Sequence, residues 1–463
     1  MTAPARAVAR VSHLWVAMVV AAVVATTAAV AGIGIGATDE QHAAVDETQY
    51  LLTAISIAED GDLDISDELA FRRWSSFSAV EPPVQTEVLA DGTQISPHDP
   101  LLPLLLALPV AWAGWVGAKI VLAALAGVLA ALTLWVAVRR LAVPLTVALI
   151  GVGLAVASAP LAVYGQQVYP EVPAALLVVT AIAALTGPVD RRHLGLLVAV
   201  LATIPWLSVK YVPVVAALAA VGAARWWRAG RHTDVLLGTG VLAAAGTVYL
   251  AVHRAVWGGW TAYATGDHFS NRGEFAVVGD EVNPAGRATR LIGLLVDRDY
   301  GLAAWQPAYL LLVPAAAALL VHRPRHTMAL AVPLAVGWLV ATFVAATMHG
   351  FWWPGRHVVV VVPLAVLLIM EWAARSGRVV HISAAGLGAL GVVIYAGMLV
   401  DGYTGTFTWV LGFPNLTGPE RVLLPDYRAA LGVLHIAWCA AVVGLATAAA
   451  VTAPRRTASN TIS

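Results

Sequence analysis

The stretch "LWVAMVVAAVVATTAAVAGIGIGATDEQHAAVDETQYLLTAISIAEDGDLDIS", residues 14–66, decides how the chain is read. Its first 24 residues, Leu14 to Ala37, carry no charge, and fourteen acidic residues follow between positions 39 and 99. About 20 apolar residues cross a bilayer, whereas the apolar core of a cleavable signal peptide has about 7–15. The first part therefore reads as an uncleaved span, although "AGIGIGA" near its end is rich in small residues. An acidic segment directly behind a span is either a solvated loop or a working site beside the membrane.

The rest of the chain supports a membrane protein. Of 463 residues, 60% are hydrophobic and 12% charged, against about 25% charged in soluble domains. A net charge of zero supplies no bulk basic field for nucleic acid. The single cysteine, Cys439, excludes an intramolecular disulfide. Apolar runs mark twelve spans: 14–37, 116–138, 141–160, 171–187, 194–208, 211–224, 234–254, 304–321, 327–347, 356–373, 381–400 and 430–450. Pro205, Lys210 and Pro213 interrupt 194–224, which is read as two short spans. Basic loop residues gather on the cytoplasmic side. With the N-terminus inside, the inner segments hold 15 arginines and three acids, and the outer ones 12 basic and 24 acidic residues. The expectation is an all-α polytopic protein of the plasma membrane with both termini cytoplasmic. It has one transmembrane domain over 1–454, long outer loops at 38–115, 255–303 and 401–429, and a disordered tail at 455–463.

In the first outer loop, Leu51, Leu52, Ile55 and Ala58 have helical spacing with Asp46, Glu47, Gln49 and Tyr50 on the polar side. This predicts a helix lying on the membrane surface. Asp46 followed by Gln49 also resembles a capping box, with Asp46 as a helix N-cap. "EDGDLDISDE" reads as a solvated acidic loop in preference to a site for a hard cation. The proline-rich "SPHDPLLPLLLALPVAW" reads as a second interfacial or re-entrant piece, with His98 and Asp99 either a turn and cap or a metal or substrate contact.

Ionisable groups in or at the rim of spans are functional suspects. Four clusters fall on the outer face: Tyr164, Gln166, Gln167, Tyr169 and Glu171; Lys210 and Tyr211; Asp297, Arg298, Asp299, Tyr300 and Gln306; and His349, Trp352, Trp353, Arg356 and His357. Tyr50 and His98 of the first loop, with Tyr169, Tyr211, His349 and Trp353 of these clusters, are candidate substrate contacts. Lipid anchoring by Trp and Tyr, and snorkelling by Lys210 and Arg356, are the structural alternatives. Cations at headgroup level suit a phosphate, and a nearby carboxylate suits deprotonation of an acceptor hydroxyl. Together they fit transfer of a sugar from a lipid-linked phosphate; no glycine loop for a nucleotide-sugar donor is visible.

In order and layout, "DETQYLLTAISIAEDGD", "HDPLLPLLLALP", "VYPEVPAALL", "SVKYVP", "DRDYGLAAWQPAYLL" and "WWPGRHVVVVVPLAV" resemble the integral-membrane glycosyltransferases of the GT-C fold. These include the protein O-mannosyltransferases and the lipid A aminoarabinose transferase. The resemblance implies that Asp46 is the general base with Glu47 beside it, that Glu171 is a second acid, and that Lys210 and Arg356, with His357 and Arg298, bind the donor phosphate. Asp39-Glu40 is a second acidic pair, but Tyr50 and the amphipathic helix follow Asp46-Glu47. A polyprenyl-phosphate sugar donor, inversion and, in some members, a divalent cation are also implied. No large lumenal domain interrupts the spans, unlike in the O-mannosyltransferases. Alanine, valine and arginine bias suggests a high-GC genome such as an actinobacterium. There arabinofuranose or mannose would be the sugar, and a cell-envelope glycan, lipid or protein the acceptor. A multi-span transporter or flippase, and a non-catalytic assembly factor, are the competing readings.

Overall fold

The structure, a computed structural model, describes residues 3–270, 283–412 and 418–452. Among them it is helical, with isolated β-bridges and no named strand. The expected tail at 455–463 lies outside the described residues. Lipid offers no partner for backbone N–H and C=O groups, so spanning segments close their hydrogen bonds internally.

Each of the twelve apolar segments holds a helix. Around one further helix they run α1 Ala3–Val30, α2 Asp46–Glu59, α3 Leu101–Arg139, α4 Leu145–Val156, α5 Glu171–Leu185, α6 Arg191–Thr203, α7 Val212–Arg228, α8 His232–Val256, α9 Leu312–His322, α10 Thr327–Leu339, α11 Val362–Ala373, α12 Arg378–Tyr403 and α13 Val433–Thr452. Seven helical segments are long and apolar enough to cross a membrane, and shorter apolar helices accompany them. The break expected within 194–224 is present: the chain turns through short 3-10 pieces at Ile204–Trp206 and Val209–Tyr211.

Helices α5 and α11 form the centre, and α8, α12 and α13 turn most of their surface outward. Small residues let α1 pack closely. Ala17, Ala21, Ala25 and Ala29 are buried in steps of four. A Cβ on Gly127 of α3 would stand 2.4 Å from Thr26 Oγ1. Such small-residue seams replace hydrophobic driving force between helices in lipid. The Thr26 hydroxyl also donates to the Ala123 carbonyl at 3.2 Å.

One sequence expectation holds and another changes. The proline-rich piece is a helix distinct from the second span, and the two meet within α3 at a kink where Ala113 (φ −140) and Gly114 (φ 57) leave helical geometry. A positive φ is open to glycine at little cost. And α2 does not lie on a surface with its polar side in water: Glu47 through Ser56 are all buried. Helical periodicity marks two faces but does not say what covers the polar one.

Candidate active site

Asp46 is the first residue of α2, and the residue before it sets its direction. Val45 has φ 56 and ψ −125. For a β-branched residue this is strained, at about 1–3 kcal/mol, and such strain gathers at functional sites. Val45 rather than Asp46 occupies the N-cap position, and no side chain caps this end. The capping-box expectation fails because the Asp46 carboxylate is bound elsewhere, by a residue 310 positions away.

That residue is Arg356. Its Nη2 donates to Asp46 Oδ2, and its Nε lies 3.4 Å from Glu171 Oε1. Lys210 Nζ donates to the same Glu171 oxygen at 2.7 Å. Two carboxylates and two cations thus alternate as Asp46, Arg356, Glu171 and Lys210. Three elements supply them besides α2. Glu171 opens α5, Lys210 sits in the turn before α7, and Arg356 follows Gly355, whose φ of +87 lets the chain reverse after "WWP". The guanidinium is stacked 4.4 Å over the Tyr169 ring, with Trp352 on another side at 5.4 Å. Lys210 Nζ stands 5.1 Å from the centre of the Tyr211 ring. His98 Nε2 is 3.7 Å from Asp46 Oδ2, and its ring packs on Tyr50 at 4.5 Å.

Glu171 is fully buried, while the side chains of Asp46 and Lys210 are 19% and 26% exposed. The site therefore opens at these two ends. Burial alone would raise the Asp46 carboxyl. The Arg356 guanidinium and His98 outweigh it and hold the group well below the usual carboxylate range. Glu171 Oε2 and the hydroxyls of Tyr169 and Tyr211 are buried without partners among the described residues. Unpaired buried polar groups are costly, so a polar ligand at this point would gain ready-made contacts. His357 Nε2 is similarly buried and unpaired beside Trp352.

The other candidates are placed differently. Glu47 points away from Asp46. Its oxygens accept from the backbone N–H of Val168 at 2.7 Å and of Ala44 at 3.4 Å, clasping α2 to the segment that carries Tyr169. Burial raises the Glu47 carboxyl, and nearby Lys119 opposes it. Trp353 is fully buried among Trp305, Phe407 and Trp409, so its neighbour Trp352 is the tryptophan at the site. His349 packs on Tyr300 and lies 3.6 Å from Asp297, in a separate cluster. Arg298 belongs to that region too: its N–H donates to Pro425 and its carbonyl accepts from Arg421. No described contact brings it to Arg356.

Lys119, which sequence reasoning passed over, and Asp99, which it left between a turn and a contact, support the site. Lys119 is fully buried in α3, where Nζ donates to the His42 carbonyl at 2.8 Å and to Gln166 Oε1 at 3.2 Å. A lone lysine in an apolar run is the signal that would have found it. Lys119→Met is expected to cost about 1–3 kcal/mol by leaving buried acceptors unpaired; thermal unfolding in detergent measures it. Asp99 accepts from Val209 N–H at 3.0 Å, Tyr249 hydroxyl at 2.7 Å and His253 Nε2 at 3.0 Å. It fixes the turn that carries Lys210, a structural task rather than the metal or substrate contact considered for it.

The arrangement around Asp46 does not fit a divalent cation as drawn, since guanidinium and ammonium already occupy both carboxylates. Among the described residues, Asp60, Asp67 and Glu68 alone bring three ligand atoms within 4.8 Å of one another, beyond the far end of α2. Burial, then a hydrogen bond with Asp67, push the Glu68 carboxyl from 4.5 to about 8. A raised acid contributes stability that is present below 4.5 and lost as pH rises through about 8. Glu68→Gln is expected to flatten the dependence of melting temperature on pH across that window.

No protein-family model matches the chain, and no curated protein matches it by sequence. Among solved structures it is similar to the crystal structure of ArnT from Cupriavidus metallidurans bound to undecaprenyl phosphate. The TM-score is 0.51 at 13% identity, over 96% of this chain and 72% of that one. The chain thus has the GT-C membrane fold that its sequence resembles.

Proposed function

We propose that the protein is a glycosyltransferase that moves a sugar from a polyprenyl-phosphate donor to an acceptor hydroxyl, with inversion. The observation that carries this reading is the alternating group of Asp46, Arg356, Glu171 and Lys210, open at its Asp46 and Lys210 ends and bordered by unpaired phenols. In this reading Arg356 and Lys210 hold the donor phosphate, the guanidinium as a fork and the ammonium as a compact charge. The fold is shared with a protein whose structure holds undecaprenyl phosphate. Twelve crossings, both ends in the cytoplasm and the site on the outer face are part of the proposal, supported by the charge asymmetry of the loops.

Asp46 is the base in this scheme. A carboxylate tied to a guanidinium is a weak base, because the ion pair favours the charged form. A donor phosphate competing for Arg356 loosens that pair and returns basicity to Asp46. The acceptor hydroxyl then gives its proton to Asp46 as its oxygen attacks the anomeric carbon, and the polyprenyl phosphate leaves against Arg356 and Lys210. Glu171 keeps the two cations together. We assign arabinofuranose or mannose as the sugar and a cell-envelope glycan, lipid or protein as acceptor, from the composition of the chain and the family it resembles.

The test is purified protein in lipid with a radiolabelled polyprenyl-phosphate sugar. Lipid-dependent passage of label to an acceptor supports the enzyme. Counterflow of intact substrate without transfer supports a transporter instead, a class that sites its charges near the bilayer midplane.

A further inference from the structure

A second cavity, of about 370 Å³, lies on the other side of α2. Leu51, Ile55 and Ala58 line it from α2, and on a helix turning about 100° per residue they stand across from Asp46. Val110, Ala111 and Trp115, on either side of the break in α3, complete its apolar walls. The rim is polar: Glu59, Arg72, Arg73, Ser75 and Ser76.

These arginines are the only Lys or Arg residues in a segment, 39–99, that holds fourteen acids, and both stand at one opening. Arg73 is paired with Glu59. Arg72 has no carboxylate partner among the described residues; its guanidinium rests 4.9 Å over the Trp74 ring, and its backbone is left-handed (φ 54, ψ 40). Phe71 and Trp112 beside the cavity are 77% and 83% exposed, an arrangement suited to lipid rather than water.

We propose that this cavity holds the headgroup and upper chain of an anionic bilayer phospholipid, its phosphate on Arg72 and its chain along Leu51, Ile55 and Trp115. Charge selects the occupant: a guanidinium without a carboxylate partner matches a phosphate, and the apolar floor beneath it matches an acyl chain. The site is separate from the group around Asp46 and does not depend on the reaction assigned there. Its occupant would press on the back of the helix whose front carries the proposed base.

The test uses full-length protein released from detergent in native mass spectrometry, titrated with phosphatidylglycerol or phosphatidylcholine. Wild type is expected to retain phosphatidylglycerol in preference to phosphatidylcholine. R72Q/R73Q should lose that preference by roughly fivefold per arginine. A58W, which fills the cavity and leaves both arginines, should lose retention of either lipid. Both arginines are exposed, so the double variant stays informative if A58W fails to fold. Equal retention of the two lipids by wild type, or unchanged phosphatidylglycerol retention in R72Q/R73Q, overturns the proposal. So does capture of a second copy of the chain in place of lipid.

Discussion

Asp46→Asn is expected to lower sugar transfer by about 10²–10⁴-fold, the range that a positioned general base contributes, while the protein still binds its donor. The two effects separate for a physical reason. Asparagine cannot take a proton from the acceptor hydroxyl, but it also stops competing for Arg356. Donor affinity should therefore hold or rise as turnover collapses. The change should also be insensitive to pH across the neutral range. Arg356 and His98 hold the Asp46 carboxyl well below its ordinary value of 3.8, against the opposing pull of burial. A depressed acid contributes stability that is present above its unfolded value and lost as pH falls through the folded one. The gap in melting temperature between wild type and variant should thus stay constant between about pH 5 and 8. Turnover and donor affinity measured in parallel decide the matter; near-normal turnover would remove Asp46 from the mechanism.

Arg356→Ala carries the second large effect, and it runs the other way. The side chain is 10% exposed and touches Asp46, Glu171 and the Tyr169 ring. Removing it leaves Asp46 without its guanidinium and the fully buried Glu171 with Lys210 alone. Breaking a buried pair costs about 3–5 kcal/mol, so melting temperature should fall clearly. Donor affinity should fall by more than about tenfold, as expected for loss of a charge-assisted contact. Arg356→Lys separates the two. It restores a positive charge and much of the stability, but not the fork that holds two oxygens. Titration of each variant with polyprenyl phosphate reads this directly, and an unchanged affinity for Arg356→Ala would leave the residue a purely structural tie.

Much of the architecture was legible because lipid imposes a strict grammar: long apolar runs, charges at their ends, basic residues to one side. Even the break at 204–211 was marked by Pro205, Lys210 and Pro213. The partners inside the site were less legible. Asp46, Glu171, Lys210 and Arg356 were each suspect by type, but nothing local to Asp46 says that it binds Arg356 rather than its own helix end. The choice between Trp352 and Trp353 was equally closed to sequence, because adjacent residues in a turn differ only in direction. The fate of the polar side of α2 depended on Lys119 and Val168, which arrive from other elements.

The link between Asp46 and Arg356 spans 310 residues, and it has a consequence for biosynthesis. A chain made at about 5–20 residues per second takes on the order of 15–60 seconds to cover that distance. Throughout that interval Asp46 lacks the guanidinium that neutralises it, and Glu171 has only Lys210, itself added 39 residues later. The nascent protein thus carries an unfinished charge balance until its tenth apolar segment is being made. Quality-control proteases that sample early membrane intermediates would meet this half-built ionic group, and synthesis of the tenth apolar segment would be the event that hides it.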